Sequence, residues 1–170
     1  MVDEPTAAEL VDGFLAAPKE LAGAPTWVEG SRSGEMRSSL PILVNGESTN
    51  AEFCTTAYPE ESGLRFTIVL QYRNHCIWRL DFEPDYKRHT NPADRVDSLG
   101  GEYSIVGPHY HAWNDNRHLS TRSTLPDMPC ARSLPNAIRH WENAFRWFCG
   151  ETMIAFHEPV FELPPRGRLL

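Results

Sequence analysis

Apolar residues along this chain switch between two periods. Near the start, Leu10, Val11, Phe14 and Leu15 recur at helical spacing, which predicts a helix over 6–17 with one buried stripe. Thr6-Ala7-Ala8-Glu9 fits a capping box at its start, and Pro18 limits its end. Further on the period falls to two. Leu40 to Val44 runs into Asn45-Gly46, a dipeptide suited to a tight hairpin turn, and Glu52 to Tyr58 is the expected return strand. Leu64, Phe66, Ile68, Leu70 and Tyr72 alternate, as do Cys76, Trp78, Leu80 and Phe82. A two-residue loop at Asn74-His75 would oppose Leu70 and Arg79. A three-residue loop, Arg73-Asn74-His75, instead opposes Leu70 with Trp78 and Ile68 with Leu80, so that the apolar residues share one face. The other face then carries Thr67, Val69, Gln71, Ile77, Arg79 and Asp81.

Between these elements the signals are weaker. Residues 19–34 read as a connection with a short strand at Trp27-Val28. Residues 84–101 read as a long loop with Pro84, Pro92 and Gly100-Gly101, and loops of that length are often functional. A strand over 102–113 is expected to bend at Gly107-Pro108, because proline lacks the amide donor of a ladder. Residues 114–132 read as irregular. Ser133 then suits the cap of a helix over 134–149, with Ala137, Ile138, Trp141, Ala144, Phe145 and Phe148 on one face and Gly150 as its stop. Met153 to Phe161 suits a final strand. The expected fold class is α+β, a curved antiparallel β-sheet flanked by an N-terminal and a C-terminal helix. One domain over 1–163 precedes a flexible tail at 164–170.

Composition narrows the function classes. With 41% hydrophobic and 23% charged residues, the 170-residue chain is globular rather than disordered. No apolar run reaches the roughly 18 residues of a membrane helix, and the acidic start lacks the basic and apolar regions of a secretory signal. The expected location is cytoplasmic, with no membrane partner. The net charge of −7 is uneven: residues 1–63 hold eleven acids against three bases, and residues 64–170 hold twelve against thirteen. Such a chain is a poor general nucleic-acid binder, although Lys87, Arg88 and Arg95 surround His89, and Arg117 and Arg122 follow His111. Cys54, Cys76, Cys130 and Cys149 form no Cys-x-x-Cys pair, so free thiols are expected.

The densest candidate chemistry is Gly107-Pro108-His109-Tyr110-His111-Ala112-Trp113, with His89-Thr90-Asn91-Pro92 upstream. Alternate strand residues share a face, so His109 and His111 present two imidazoles side by side. Three readings compete. In the first, the pair chelates a transition ion, with His89 or Asp81 as third ligand, and the ion activates a water. In the second, the pair divides metal-free acid–base work on a phosphodiester, and Arg79, Arg88 or Arg117 stabilises the phosphate charge. In the third, the histidines are structural and His109 ties down the 84–101 loop.

The blocks Leu70-Gln71-Tyr72-Arg73, Trp78-Arg79-Leu80-Asp81, His89-Thr90-Asn91-Pro92 and Gly107 to Trp113 are together similar to a block in small uncharacterised bacterial and prophage proteins. The block also looks distantly like toxin components of toxin–antitoxin modules. The resemblance covers about a third of the chain. It implies that Arg79, Asp81, His89, Asn91, His109 and His111 gather in one site. A likeness to histidine-triad hydrolases fails at the third alternating position, which is Trp113.

The preferred expectation is a histidine-centred hydrolase acting on RNA or a nucleotide, toxin–antitoxin or prophage-encoded, and needing no cofactor or metal. His109 and His111 are its acid–base pair, Arg79 its phosphate contact and Asp81 the orienting acid. His89, Asn91, Arg88 and Arg117 bind substrate. One alternative is an acidic interaction protein that binds a basic partner through its N-terminal third. Another is a transition-metal protein that uses the histidine cluster.

Overall fold

Thr6 closes its capping box: Thr6 Oγ1 accepts from Glu9 N at 3.2 Å, and the Glu9 carboxylate accepts from Thr6 N at 2.7 Å. Helix α1 (Ala7–Ala16) starts there. At its other end, buried Lys19 donates from Nζ to the carbonyls of Phe14, Leu15 and Ala17 at 2.6–2.9 Å, so acceptors left over at the helix end find a donor.

The computed structural model describes residues 4–59 and 64–164. After α1 come β1 (Lys19–Leu21), β2 (Val28–Glu29), β3 (Met36–Val44), β4 (Glu47–Ala57), β5 (Phe66–Tyr72) and β6 (His75–Phe82). Then follow β7 (Arg88–Thr90), β8 (Ser104–Val106), β9 (His109–His111), α2 (Trp113–Asn116), β10 (Arg132–Ser133), α3 (Trp141–Glu151) and β11 (Ile154–Ala155). The fold is mixed α and β, with three α-helices among the described residues. Its large sheet is open and runs β10-β9-β6-β5-β4-β3-β1-β11, with β2 paired to β3. All pairings are antiparallel except β1 with β11. Strands β7 and β8 form a separate ribbon.

The hairpin at Asn45-Gly46 forms as expected, with φ of 54° and 75° at the two turn residues. Leu70 faces Trp78 and Ile68 faces Leu80, also as expected. The loop that produces this register is not the expected three-residue one. Tyr72 pairs with His75, leaving Arg73-Asn74 as a two-residue turn with φ of 51° and 65°. A bulge restores the register: Gln71 pairs with Cys76 and Leu70 with Trp78, so Ile77 is the extra residue.

One face of this sheet is the core. Phe53 meets Phe145 and Phe148 edge-on, Trp78 packs on Trp147 and Phe148, and Phe14 stacks on Tyr72. Helices α1 and α3 thus cover that face. Each such side chain contributes roughly 1.5–3 kcal/mol by leaving water.

Several expected boundaries move. The late helix begins at Trp141, not at 134, because Pro135 follows a segment still attached to the sheet: Leu134 N donates to Pro108 O at 3.1 Å. Ser133 is not a helix cap. It lies in β10, and its hydroxyl binds the Glu102 carboxylate. Gly150 sits inside the last turn. The end is fixed at Thr152, whose hydroxyl donates to Phe148 O at 2.7 Å. The 102–113 strand divides at Gly107, at φ 78°, into β8 and β9 of different sheets. The 84–101 loop contains β7 and two 3-10 turns. Of the expected last strand only Ile154–Ala155 pairs. The expected tail, Pro164 apart, lies outside the described residues. No helix among the described residues is long and apolar enough to cross a membrane.

Candidate metal centre

The sheet register alone assembles four polar residues. In the β6–β9 pairing Asp81 lies opposite His109, and Arg79 lies opposite His111. The residue between them, Tyr110, pairs with Leu80 and stacks on Trp78 on the helix-covered face. Alternation therefore puts Asp81, Arg79, His109 and His111 together on the opposite face. The fifth residue arrives from the ribbon. His89 of β7 is half-buried between exposed Arg88 and Thr90, and its ring centre lies 5.1 Å from that of His109 and 4.9 Å from that of His111. The His109 and His111 centres are 5.3 Å apart. One nitrogen from each of the three rings lies within 4.8 Å of the other two.

Hydrogen bonds fix which nitrogen each ring offers. His109 Nδ1 is 2.8 Å from Gly107 O, and His111 Nδ1 is 2.7 Å from Met128 O. A carbonyl only accepts, so both Nδ1 atoms carry the proton and both Nε2 atoms keep a lone pair. His89 Nε2 meets Pro129 O at 3.1 Å and Asn91 Oδ1 at 3.2 Å. Asn91 cannot be flipped, because Oδ1 accepts from Ala131 N while Nδ2 donates to the carbonyls of Glu102 and Ala131. His89 therefore donates from Nε2 and keeps its lone pair on Nδ1.

Asp81 completes the cluster. Its Oδ1 accepts from Thr67 Oγ1 at 2.9 Å and from Arg79 Nη2 at 2.8 Å. Its Oδ2 lies 3.5 Å from His111 Nε2 and 3.6 Å from His109 Nε2. Arg79 Nε approaches this oxygen to 2.7 Å without hydrogen-bond alignment, so Oδ2 is buried and unsatisfied. Burial pushes the Asp81 carboxyl up, but a hydrogen bond that His111 donates from Nε2 when its ring carries both protons, together with the Arg79 charge, outweighs it and holds the pKa down at about 2. Burial lowers His109 and His89 below the ordinary imidazole value and outweighs the main-chain acceptors and the Asp81 charge, which favour the charged rings. Two of the three rings thus favour the neutral form that can ligate a metal.

Residues 128–131, expected only to be irregular, supply two of the three carbonyl acceptors. Two buried asparagines hold this segment. Asn91 grips Ala131, and Asn116 of α2 accepts from Cys130 N at 2.8 Å and donates to Cys130 O and Ala112 O at 2.9 Å. Sequence reasoning missed the carbonyls, Thr67 and Asn116. A carbonyl carries no side-chain signature, and Asn116 stands in no motif.

The remaining expected site residues separate. Arg88 is exposed opposite Val106 on the ribbon's outer face. Asn91 is 2% exposed and wholly occupied with His89 and the main chain, so it positions the ring. Arg117 is engaged elsewhere, in a two-pronged ion pair with Asp12 of α1 at 2.6–2.9 Å. The four cysteines are free. No known family matches the chain, and no curated protein or solved structure is detectably similar to it.

Proposed function

We propose that the protein is a hydrolase centred on a divalent transition ion of the zinc class, held by His89, His109 and His111. The observation that carries this reading is the set of ring tautomers. Each imidazole donates one N–H to a main-chain acceptor and keeps its other nitrogen as a lone pair, the outer-shell arrangement that orients metal-binding histidines. Two of those lone pairs lie beside an unsatisfied carboxylate oxygen. Zinc–nitrogen bonds of about 2.0–2.1 Å place tetrahedral ligands roughly 3.3 Å apart, and the three ring nitrogens, mutually within 4.8 Å, need only small side-chain shifts to reach that spacing.

An ion held by His89, His109 and His111 would supply Lewis acidity that makes water a stronger nucleophile near neutral pH. In the hydrolysis proposed, a water oxygen would bond to the electrophilic centre and lose a proton to solvent, while the ester bond breaks and the leaving oxygen takes up a proton from solvent. Asp81, held ionised, accepts a hydrogen bond from the attacking oxygen and orients it. RNA or a nucleotide is the ester class proposed.

The test is metal analysis of protein purified without a histidine tag, followed by turnover of a chromogenic phosphodiester and of RNA. Near-stoichiometric zinc or a similar ion, lost in His109→Ala and His111→Ala, is expected, together with activity that chelation abolishes and metal restores. Protein that takes up no ion from zinc-supplemented buffer overturns the reading. Cleavage by metal-free protein that depends on both histidines returns the site to acid–base chemistry.

A further inference from the structure

Arg79 differs from the other members of the cluster in one respect. Its side chain is 46% exposed, whereas those of Asp81, His109 and His111 are 1%, 8% and 6% exposed. With half-buried His89, it is where the buried cluster meets solvent. Its Nη2 is spent on Asp81 Oδ1 and its Nε lies against Asp81 Oδ2, while Nη1 enters no hydrogen bond among the described residues. The carboxylate thus clamps one edge of the guanidinium and leaves donors on the other edge.

We infer that Arg79 is the anion contact of this site, and that the ligand it selects is a phosphate ester bound with one oxygen at the metal and another at the free guanidinium edge. The inference rests on the metal reading above and adds the residue that selects its anionic substrate. Three features support it. The cross-strand partner of Arg79 is His111, so the guanidinium and a metal ligand sit side by side. The planar fork matches the spacing of phosphate oxygens, and its charge is permanent. Clamping by Asp81 removes much of the side-chain freedom that an exposed arginine would lose on binding. A neutral ester or amide would offer the free guanidinium edge a weaker acceptor than an anion does, so the same geometry discriminates against uncharged substrates.

The experiment uses the full chain loaded with cobalt(II), whose visible bands report on its coordination sphere, titrated with inorganic phosphate. Phosphate is expected to change the bands of the native protein. In Arg79→Gln, cobalt binding is expected to remain while half-saturation by phosphate rises about tenfold or more, the range for a lost charge-assisted hydrogen bond. Arg79→Lys keeps the charge without the fork and is expected to fall between the two. A ribonucleoside monophosphate and a short oligoribonucleotide in the same titration separate a terminal phosphate from a chain diester. Bands that ignore phosphate, or equal half-saturation in native protein and Arg79→Gln, overturn the inference. Failure to bind cobalt sinks the metal reading instead. The anion contact is then judged by thermal unfolding: phosphate that stabilises the native protein but not Arg79→Gln supports it, and equal or absent stabilisation overturns it.

Discussion

Asn91 grips the main chain of Ala131 from both sides: Ala131 N donates to Oδ1 at 2.7 Å, and Nδ2 donates to Ala131 O at 2.9 Å. The side chain thereby replaces a strand pair and carries Pro129 O to the His89 ring. Replacing Asn91 with Leu leaves several buried main-chain groups unpaired, at about 1–3 kcal/mol each before relaxation. A loss of about 3 kcal/mol in urea unfolding is expected, with metal affinity down about 10- to 100-fold, the usual cost of a lost outer-shell partner. Unchanged affinity in a folded variant would show that Asn91 does not position His89.

Asp81 supplies the negative charge beside the three imidazoles, and its carboxylate is shared with Arg79 and Thr67. In Asp81→Asn the cation site loses that charge and Arg79 loses its ionic partner. Metal affinity measured by competition with a chromogenic chelator is expected to fall about tenfold or more. Turnover is expected to fall further than occupancy accounts for, because the attacking oxygen loses its orienting acceptor.

Acid should destabilise the metal-free protein in two stages. His89 and His109 have pKa values lowered from 6.5 by burial. Above that value the rings are neutral in both folded and unfolded chains, and the full stability is present. As pH falls below 6.5 the unfolded chain takes up protons first, so stability declines until the folded rings also titrate. Asp81, lowered from 3.8 to about 2, adds a second decline across that interval, of roughly 2 kcal/mol. Urea midpoints measured from pH 8 to pH 2 check this, and a flat profile between pH 7 and pH 5 would contradict the first stage.

The two ends of α1 have different tolerances. Thr6→Ala removes the cap that binds Glu9 N and should cost about 1 kcal/mol. Lys19→Met removes the only side-chain donor that the Phe14, Leu15 and Ala17 carbonyls find among the described residues and should cost about 2–3 kcal/mol. Thermal unfolding of the two variants side by side tests the order.

The chain's own pattern carried the capping box, the Asn45-Gly46 hairpin and the pairing of Leu70 with Trp78, because each depends on side-chain chemistry or alternation within a few residues. It hid the Arg73-Asn74 turn, where neither residue announces a positive φ as glycine would. It hid the start of α3 as well: Ile138 is buried and falls on the helical stripe, yet it lies in irregular chain. At the site, His109 and His111 were legible as neighbours from a period of two. That His89 joins them depends on a three-residue ribbon too short to leave a periodic trace. The carbonyls that set the tautomers depend on tertiary folding of residues 128–131.

Strand β11 lies parallel to β1 at the sheet border, with Lys19 aligned to Ile154 and Lys19 N donating to Met153 O at 2.9 Å. Without residues 154–155 seated, that edge of β1 would be an open template for another strand. β11 lies at one end of the sheet order, and β9, which carries His109 and His111, lies next to the other end. The last short strand therefore bears on protection from self-association more than on the chemistry.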